Sequence, residues 1–234
     1  MNIALLGYGR MGKSIETIAL ERHHKIVLKI ENDTDNFDFS NTDVAIDFSV
    51  PTAAVSNIKK ALDAGIPVIS GTTGWLEHYN DIIDHCNAKD GTFLYASNFS
   101  LGVNIFFETN KKLSALMSTV DGYSTEIEEI HHTKKLDAPS GTAITLAEQI
   151  IENTDYNNWT LDTPKSNEIP IESKRIPDVP GTHEITYKSD IDTINIKHTA
   201  HSRQGFAFGA VVAAEWIKDK KGVFAMRDVL NING

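Results

Sequence analysis

The sequence predicts an α/β protein: a Rossmann-type, doubly wound parallel sheet plus a second α+β domain with a mixed sheet. Three observations lead there. Short apolar runs alternate with helical patterns through the first hundred residues, as parallel strands with right-handed crossovers do. The first run ends in Gly7-Tyr8-Gly9-Arg10-Met11-Gly12, a glycine turn between a strand and a helix. After about residue 100 this alternation gives way to polar stretches and strands of a different kind.

Residues 2–6 are apolar throughout and read as a buried parallel strand. The helix after the glycines places Met11, Ile15, Ile18 and Ala19 on one face. In this context Gly7 permits the tight turn, Gly9 lets backbone approach a pyrophosphate, and Gly12 lets helix and strand pack closely. The next strand, residues 25–30, ends at Glu31, about where an acid takes the ribose hydroxyls of a dinucleotide. Three glycines serving only a turn are the plainer alternative. Residues 43–49 form another strand, closed by Pro51 at a helix start. That helix sets Ala54, Ile58, Ala61 and Leu62 on one side and stops near Gly65. Residues 66–70 lead into Gly71-Thr72-Thr73-Gly74, and residues 93–96 into Ser97-Asn98-Phe99-Ser100. Ligands of such sheets sit beyond the carboxyl ends of the strands. Phe48, Gly71, Thr72, Thr73, Ala96, Ser97, Asn98 and Phe99 are therefore expected to line a cofactor cleft with the glycine motif and Glu31.

The second part begins with a helix over residues 103–117, then an extended segment, 123–130, that delivers two histidines. A helix over 142–151 follows, and residues 153–180, rich in Asn, Asp and Pro, read as loop. Strands are expected over 184–188 and 193–199, in a mixed, mainly antiparallel block. A last helix over 209–218 puts Ala210, Ala213, Ala214 and Ile217 on one face, but periodicity does not say where it packs.

The run His131-His132-Thr133-Lys134-Lys135-Leu136-Asp137-Ala138-Pro139-Ser140-Gly141-Thr142 concentrates unusual chemistry. Imidazoles exchange protons near neutral pH. A Ser-Gly-Thr helix start offers free N–H groups and a positive dipole end to a carboxylate. Acid chemistry beside an anion seat suits turnover of a small acidic substrate, whereas a solvated charged loop is the alternative. If the segment is extended, His131 and His132 point opposite ways and can serve different roles.

Composition narrows the classes. The 22 basic and 32 acidic residues leave a net charge of −10, which argues against nucleic acid or an anionic membrane as partner. No apolar run is long enough to span a bilayer, and no signal peptide is expected. The single cysteine, Cys86, allows no intramolecular disulfide, fits a reducing cytoplasm and reads as a small buried hydrophobe. No His, Cys or carboxylate set has the spacing of a metal site, so none is expected. His198 and His201 read as sheet-face or interface residues, and Trp75, Trp159 and Trp216 as packing residues.

The glycine motif, Asp47-Phe48-Ser49, Gly71 to Gly74, residues 98–104 and residues 129–142 occur in the order found in one family. Together they resemble the 4-hydroxy-tetrahydrodipicolinate reductases (dihydrodipicolinate reductases) of the diaminopimelate and lysine pathway. The resemblance implies a dinucleotide-binding domain from residues 1–100 and 206–234. It also implies a substrate-binding and oligomerisation domain at 101–205, and a cytoplasmic homotetramer. It implies a cyclic imine dicarboxylate as substrate, reduced by NADH and/or NADPH with loss of the 4-hydroxyl as water. His131 would be the acid and Lys135 a second proton donor. His132, Lys135, Ser140, Gly141 and Thr142 would hold substrate carboxylates. Two departures stand out. Only Pro180-Gly181-Thr182-His183 remains of a longer glycine-rich segment before a G-x-H motif. Asn32 follows Glu31 where some relatives carry a basic residue, so dual cofactor use leaning to NADH is expected, with Arg10 and Lys13 opposing. Another nicotinamide-dependent amino-acid or semialdehyde dehydrogenase stays open as an alternative, although Cys86 lies in the wrong domain for the semialdehyde chemistry. A non-catalytic dinucleotide sensor also stays open, and intact His131 and Lys135 argue against it.

Overall fold

A computed structural model describes residues 1–31, 37–202 and 204–232. The chain divides into two compact units, Met1–Asn104 with Gln204–Gly234, and Ile105–Arg203. Asn32 lies outside the described residues.

The first unit opens with β1 (Asn2–Leu6), α1 (Arg10–Glu21), β2 (Lys25–Ile30), β3 (Val44–Asp47), α2 (Pro51–Asp63), β4 (Val68–Ser70), α3 (Tyr79–Ala88) and β5 (Thr92–Tyr95). The central strands are apolar on both faces because helices cover both. Ile3, Leu5, Ile46 and Ile69 face one core, and Ala4, Leu6, Ala45 and Val68 face the other. On the first face α1 contributes Ile15, Ile18 and Ala19. On the second, α2 contributes Ala54, Ile58, Ala61 and Leu62, and α3 contributes Ile82 and the buried thiol of Cys86. Trp75 is a packing residue as expected, buried beside Phe93 with its indole N–H on the Thr72 carbonyl at 2.7 Å.

The second unit contains most of α4 (Leu101–Met117), then β6 (Ser124–His131), α5 (Gly141–Ile151), β7 (Asn158–Thr160), β8 (Glu168–Arg175), β9 (Gly181–Lys188) and β10 (Thr193–Ala200). These strands form one five-stranded sheet in the order β10-β9-β6-β8-β7. Ile127, Ile169, Ile171, Ile185 and Tyr187 project from it onto Ala143, Leu146, Ala147 and Ile150 of α5 and Phe106 of α4. Asn110 on α4 bridges to α5, donating to the Leu146 carbonyl at 3.0 Å and to Gln149 Oε1 at 2.9 Å.

One expectation needs correction here. Residues 153–180 are not all loop, since β7 and β8 lie within them. The outward Glu172 and Lys174, with Pro170, hid the inward alternation of Ile169 and Ile171. The block is mixed, as expected: β9 runs antiparallel to both β10 and β6, whereas β8 is parallel to β6 and to β7, so long-range pairings decide the sheet.

The chain returns to the first unit through α6 (Gln204–Ile217), β11 (Gly222–Phe224) and α7 (Met226–Val229). β11 completes a six-stranded, all-parallel sheet in the order β11-β5-β4-β3-β1-β2. The place of the last helix, unreadable from periodicity, is beside α1. Ala207, Ala210, Val211, Ala213, Ala214 and Ile217 join the core of Ile15, Ile18 and Ala19. The Arg22 guanidinium forks onto Glu215, at 2.8 and 2.7 Å, on the same side.

Small residues let α6 come close. A Cβ on Gly209 would lie 1.7 Å from the Phe99 carbonyl oxygen, whereas one on Gly205 would meet nothing nearer than Ser100 Oγ at 3.6 Å. Gly209→Ala is therefore expected to destabilise the protein by about 1–3 kcal/mol or more, while Gly205→Ala is near neutral. Thermal unfolding of the two variants checks this, and equal melting temperatures would contradict the close approach.

Candidate active site

In the first unit the topological switch lies at β1, with β2 on one side and β3 on the other. The chain leaves β1 through Gly7, whose φ of +96° is a left-handed conformation that favours glycine. A Cβ there would sit 2.2 Å from the Phe48 carbonyl oxygen, so no other residue fits. Gly7 and Tyr8 both donate their N–H groups to the Ile30 carbonyl, at 3.0 and 2.9 Å, which brings Glu31 to the turn. A Cβ on Gly12 would meet Gly7 O at 2.4 Å, the close helix–strand contact foreseen. Gly9 caps α1 and faces open space, with no atom within 4 Å of a Cβ position. No side chain caps this helix start and no acid lies in its first turn. Its free N–H groups and positive dipole end suit a pyrophosphate. Glu31, Phe48, Ser49 and Asn57 line the same cleft of about 210 Å³ with Gly7, Tyr8 and Gly9.

Other expected cofactor residues fall in different layers. Arg10 is exposed on the first turn of α1, and Met11 packs against the core. The Tyr8 hydroxyl donates to Glu16, and the Lys29 and Lys13 ammonium groups lie 4.7 and 5.8 Å from its ring centroid. Thr73 and Ser97 are exposed and Gly71 and Asn98 half-buried, whereas Thr72, Ala96 and Phe99 are buried and shape the loops from behind. Phe99 packs on Phe48 with centroids 5.5 Å apart.

One residue in this unit had no role assigned from sequence. Asp47, fully buried at the end of β3, accepts from Ser49 Oγ (2.6 Å), Asn57 Nδ2 (3.3 Å), Ser70 Oγ (2.8 Å) and Thr72 Oγ1 (2.8 Å). Thr72 Oγ1 in turn accepts from the Ser49 N–H at 2.9 Å. Burial pushes the Asp47 pKa up, against these four donors. The group ties the loop after β3 to the loop after β4. The signal was an acid in an otherwise apolar strand.

In the second unit β6 alternates, so Glu129 and His131 point inward together. His132 is half-buried, and residues 133–138 form a mostly exposed loop. Lys135 pairs with Asp137 at 2.7 Å within that loop. Ser140 ends it as the cap of α5, its Oγ accepting from the Ala143 N–H at 3.3 Å. The Ser140 N–H itself donates to Glu129 Oε2 at 3.0 Å. Gly141 is exposed and Thr142 half-buried, so the start of α5 beyond the cap is open to a ligand.

Glu129, Ser173, Arg175 and His183 complete this set, and none of them was given a role at the site from sequence. Glu129 Oε1 accepts from Ser173 Oγ at 2.8 Å and from Arg175 Nη2 at 3.1 Å. Nη2 also donates to the Asp137 carbonyl at 2.7 Å. His131 Nδ1 lies 3.4 Å and His183 Nε2 3.7 Å from Glu129 Oε2. The two rings meet edge to face at 5.0 Å, and His183 Nε2 is 3.1 Å from Ser140 Oγ. Burial opposes charge on Glu129, but the adjacent His183 and the hydrogen bonds from Ser140 and Ser173 hold it below the usual carboxylate range. Burial, then the charges of His183, Lys135 and Arg175, push the His131 pKa down to about 4, with Glu129 resisting.

Glu129, His131 and His183 bring one ligand-type atom each within 4.8 Å of one another, which no spacing in the sequence announced. Both carboxylate oxygens already accept from Ser140, Ser173 and Arg175, while His131 Nδ1, 3.4 Å from Oε2, is buried without a hydrogen bond. His198 lies on the face of β10, 6.1 Å from the Phe106 ring, a sheet-face residue as expected.

Comparison with known proteins adds independent findings. Residues 1–99 match the family described as dihydrodipicolinate reductase, N-terminus, and residues 102–230 match dihydrodipicolinate reductase, C-terminus. The 4-hydroxy-tetrahydrodipicolinate reductase of Christiangramia forsetii is 59% identical over 99% of this chain and 98% of its own length. That of Rickettsia bellii is 37% identical over 97% and 94%. A dipicolinate-bound dihydrodipicolinate reductase from Paenisporosarcina sp. TG-14 superposes with a TM-score of 0.81 at 21% identity, covering 100% of this chain and 99% of that one. An aspartate dehydrogenase from Thermotoga maritima reaches only 0.52 at 12% identity, over 96% and 99%, a likeness of fold alone.

The buried histidine makes stability depend on pH. Below its ordinary value of 6.5, His131 binds a proton more readily in the unfolded chain than in the fold, whose value is about 4. The contribution of His131 to stability is thus fully present above pH 6.5 and is lost as pH falls toward 4. Melting temperatures across this window should decline less steeply for His131→Gln than for the parent. Parallel curves would show that His131 is not held neutral.

Proposed function

The chain belongs to the dihydrodipicolinate reductase family, and we propose how its residues divide the work that this membership entails. It is an NAD(P)H-dependent oxidoreductase that reduces 4-hydroxy-tetrahydrodipicolinate in lysine and diaminopimelate biosynthesis.

The first unit holds the nucleotide. The uncapped start of α1 and the bare backbone at Gly9 receive the pyrophosphate, and Glu31 accepts from ribose hydroxyls. The loops from Phe48, Gly71 to Thr73, and Ala96 to Phe99 form the walls, and Asp47 keeps the first two in register. The nicotinamide, when bound, supplies the hydride.

The second unit holds the substrate, a cyclic imine dicarboxylate. The N–H groups of Gly141 and Thr142, beyond the Ser140 cap, receive one carboxylate, and His132 and Lys135 the other. His131 delivers a proton to the ring as electron density arrives, with Lys135 as second donor. Its low pKa belongs to the protein alone. Two substrate carboxylates nearby favour the charged imidazole and raise that value toward neutrality. The observation that carries this reading is His131 enclosed beside Glu129, at 3.4 Å, on the strand that leads to the Ser140 cap. A homotetramer in the cytoplasm completes the proposal. The open sheet face, with Glu128 and Glu184 already paired to Lys174 and Lys197, suits a further copy.

His131→Gln is expected to lower turnover about a hundredfold, the usual contribution of a general acid, with NADH affinity unchanged. A coupled assay with synthase-generated substrate and NADH titration by fluorescence checks both. Parental turnover in the variant would remove His131 from the chemistry.

Cofactor choice follows from charge at the cleft. The Glu31 carboxylate repels a 2′-phosphate, while Lys29 is already paired with Glu16 at 2.6 Å. Dual use with a lean to NADH is therefore expected, and Glu31→Ala should raise the NADPH to NADH efficiency ratio about tenfold. A parent enzyme about tenfold better with NADPH at low salt would overturn this.

A further inference from the structure

Glu129 is fully enclosed, and its carboxylate lies against β6, β8, β9 and the start of α5. On its own strand it faces His131 Nδ1 at 3.4 Å. At the start of α5 it accepts the Ser140 N–H at 3.0 Å. On β8 it holds Ser173 and Arg175, and on β9 it lies 3.7 Å from His183 Nε2. Arg175 carries the contact on to the Asp137 carbonyl, in the loop that bears Lys135.

We propose that Glu129 is a positioning residue. It aims the proton-carrying His131 and fixes the Ser140–Thr142 anion seat through one carboxylate. The inference rests on the functional reading above and assigns a residue which that reading leaves without a role.

Nδ1 is buried 3.4 Å from the carboxylate with no hydrogen bond formed, so the ring nitrogen left to face a substrate is Nε2. Gly181 keeps that side clear, since a Cβ there would already lie 3.2 Å from Nε2. An anion beside Nδ1 selects the tautomer protonated on Nδ1 and strengthens the basicity of Nε2. The charged and titratable groups around the ring are Glu129 on β6, Lys135 on the following loop, Arg175 on β8 and His183 on β9. His198 on β10 stands behind His183. Glu129 alone among them is negative, so its removal leaves His131 facing the cations Lys135 and Arg175 with no anion of its own. Its second duty is steric and polar. Without an acceptor, the Ser140 N–H would be buried unpaired and the cap would shift.

The test uses the full-length enzyme with NADH and synthase-generated substrate, and compares the parent with Glu129→Gln and Glu129→Asp. For Glu129→Gln the high-pH limb of kcat should move down by about one unit, because an opposite charge at this range is worth that much or more. The loss in kcat at pH 8 then exceeds that at pH 6 by about tenfold. The KM for substrate should rise while the Kd for NADH stays constant. Glu129→Asp, which keeps the charge, should restore most of the limb. In the parent, two-bond ¹H–¹⁵N spectra should show His131 protonated on Nδ1 at neutral pH, a readout independent of whether the Gln variant folds. An unmoved limb with uniformly lower kcat, or an Nε2-protonated His131, overturns the proposal. A parent enzyme with no reductase activity would instead overturn the functional reading beneath it.

Discussion

A carboxylate withdrawn from water persists in a fold only where donors close around it, because desolvating the ion costs several kcal/mol. Each unit of this protein is built around one such group. Donors must themselves be held in place, and holding them orders the loops that carry them. Asp47 gathers Ser49, Asn57, Ser70 and Thr72, and so joins the ends of β3 and β4. Glu129 gathers Ser140, Ser173 and Arg175 and faces two histidines, and so joins β6, β8, β9 and the start of α5. They differ in one respect. Asp47 is met by neutral donors alone, and burial raises its pKa, while Glu129 has a guanidinium at hand and stays ionised.

Backbone contacts do comparable work where side chains are missing. Gly7 against the Phe48 carbonyl, Gly12 against Gly7 and Gly209 against the Phe99 carbonyl are approaches that a single methyl group would forbid. The first two bring α1 onto the sheet and leave its uncapped end facing the cleft at Gly9. The third seats α6 on the loop after β5. Close backbone packing thus leaves the uncapped start of α1 open at the cleft, an arrangement that suits an anion.

Much of the first unit was legible because its signals are local. Apolar runs between glycine and proline punctuation mark β1 to β5, and a 3.6-residue period marks α1 and α2. The second unit was harder to read for a definite reason. β8 exposes Glu172 and Lys174, carries Pro170, and is a strand only because β6 and β7 lie beside it. β11 has three residues and depends likewise on β5. The alanine face of α6 says that it packs, not against what.

The candidate site divides along the same line. Gly7 to Gly12, Glu31, and the run from His131 to Thr142 could be read directly, because consecutive residues bring together the turn, the acid and the helix start they form. Glu129, Ser173, Arg175 and His183 are spread over three strands, and no spacing in the chain places them together. The kinds of group the candidate site offers, a glycine turn before a helix, adjacent imidazoles and an open helix start, were therefore determined by the sequence itself. Which protonation states those groups hold was decided only by the tertiary structure. A side chain's identity is local, but its burial and the charges facing it come from partners distant in the chain.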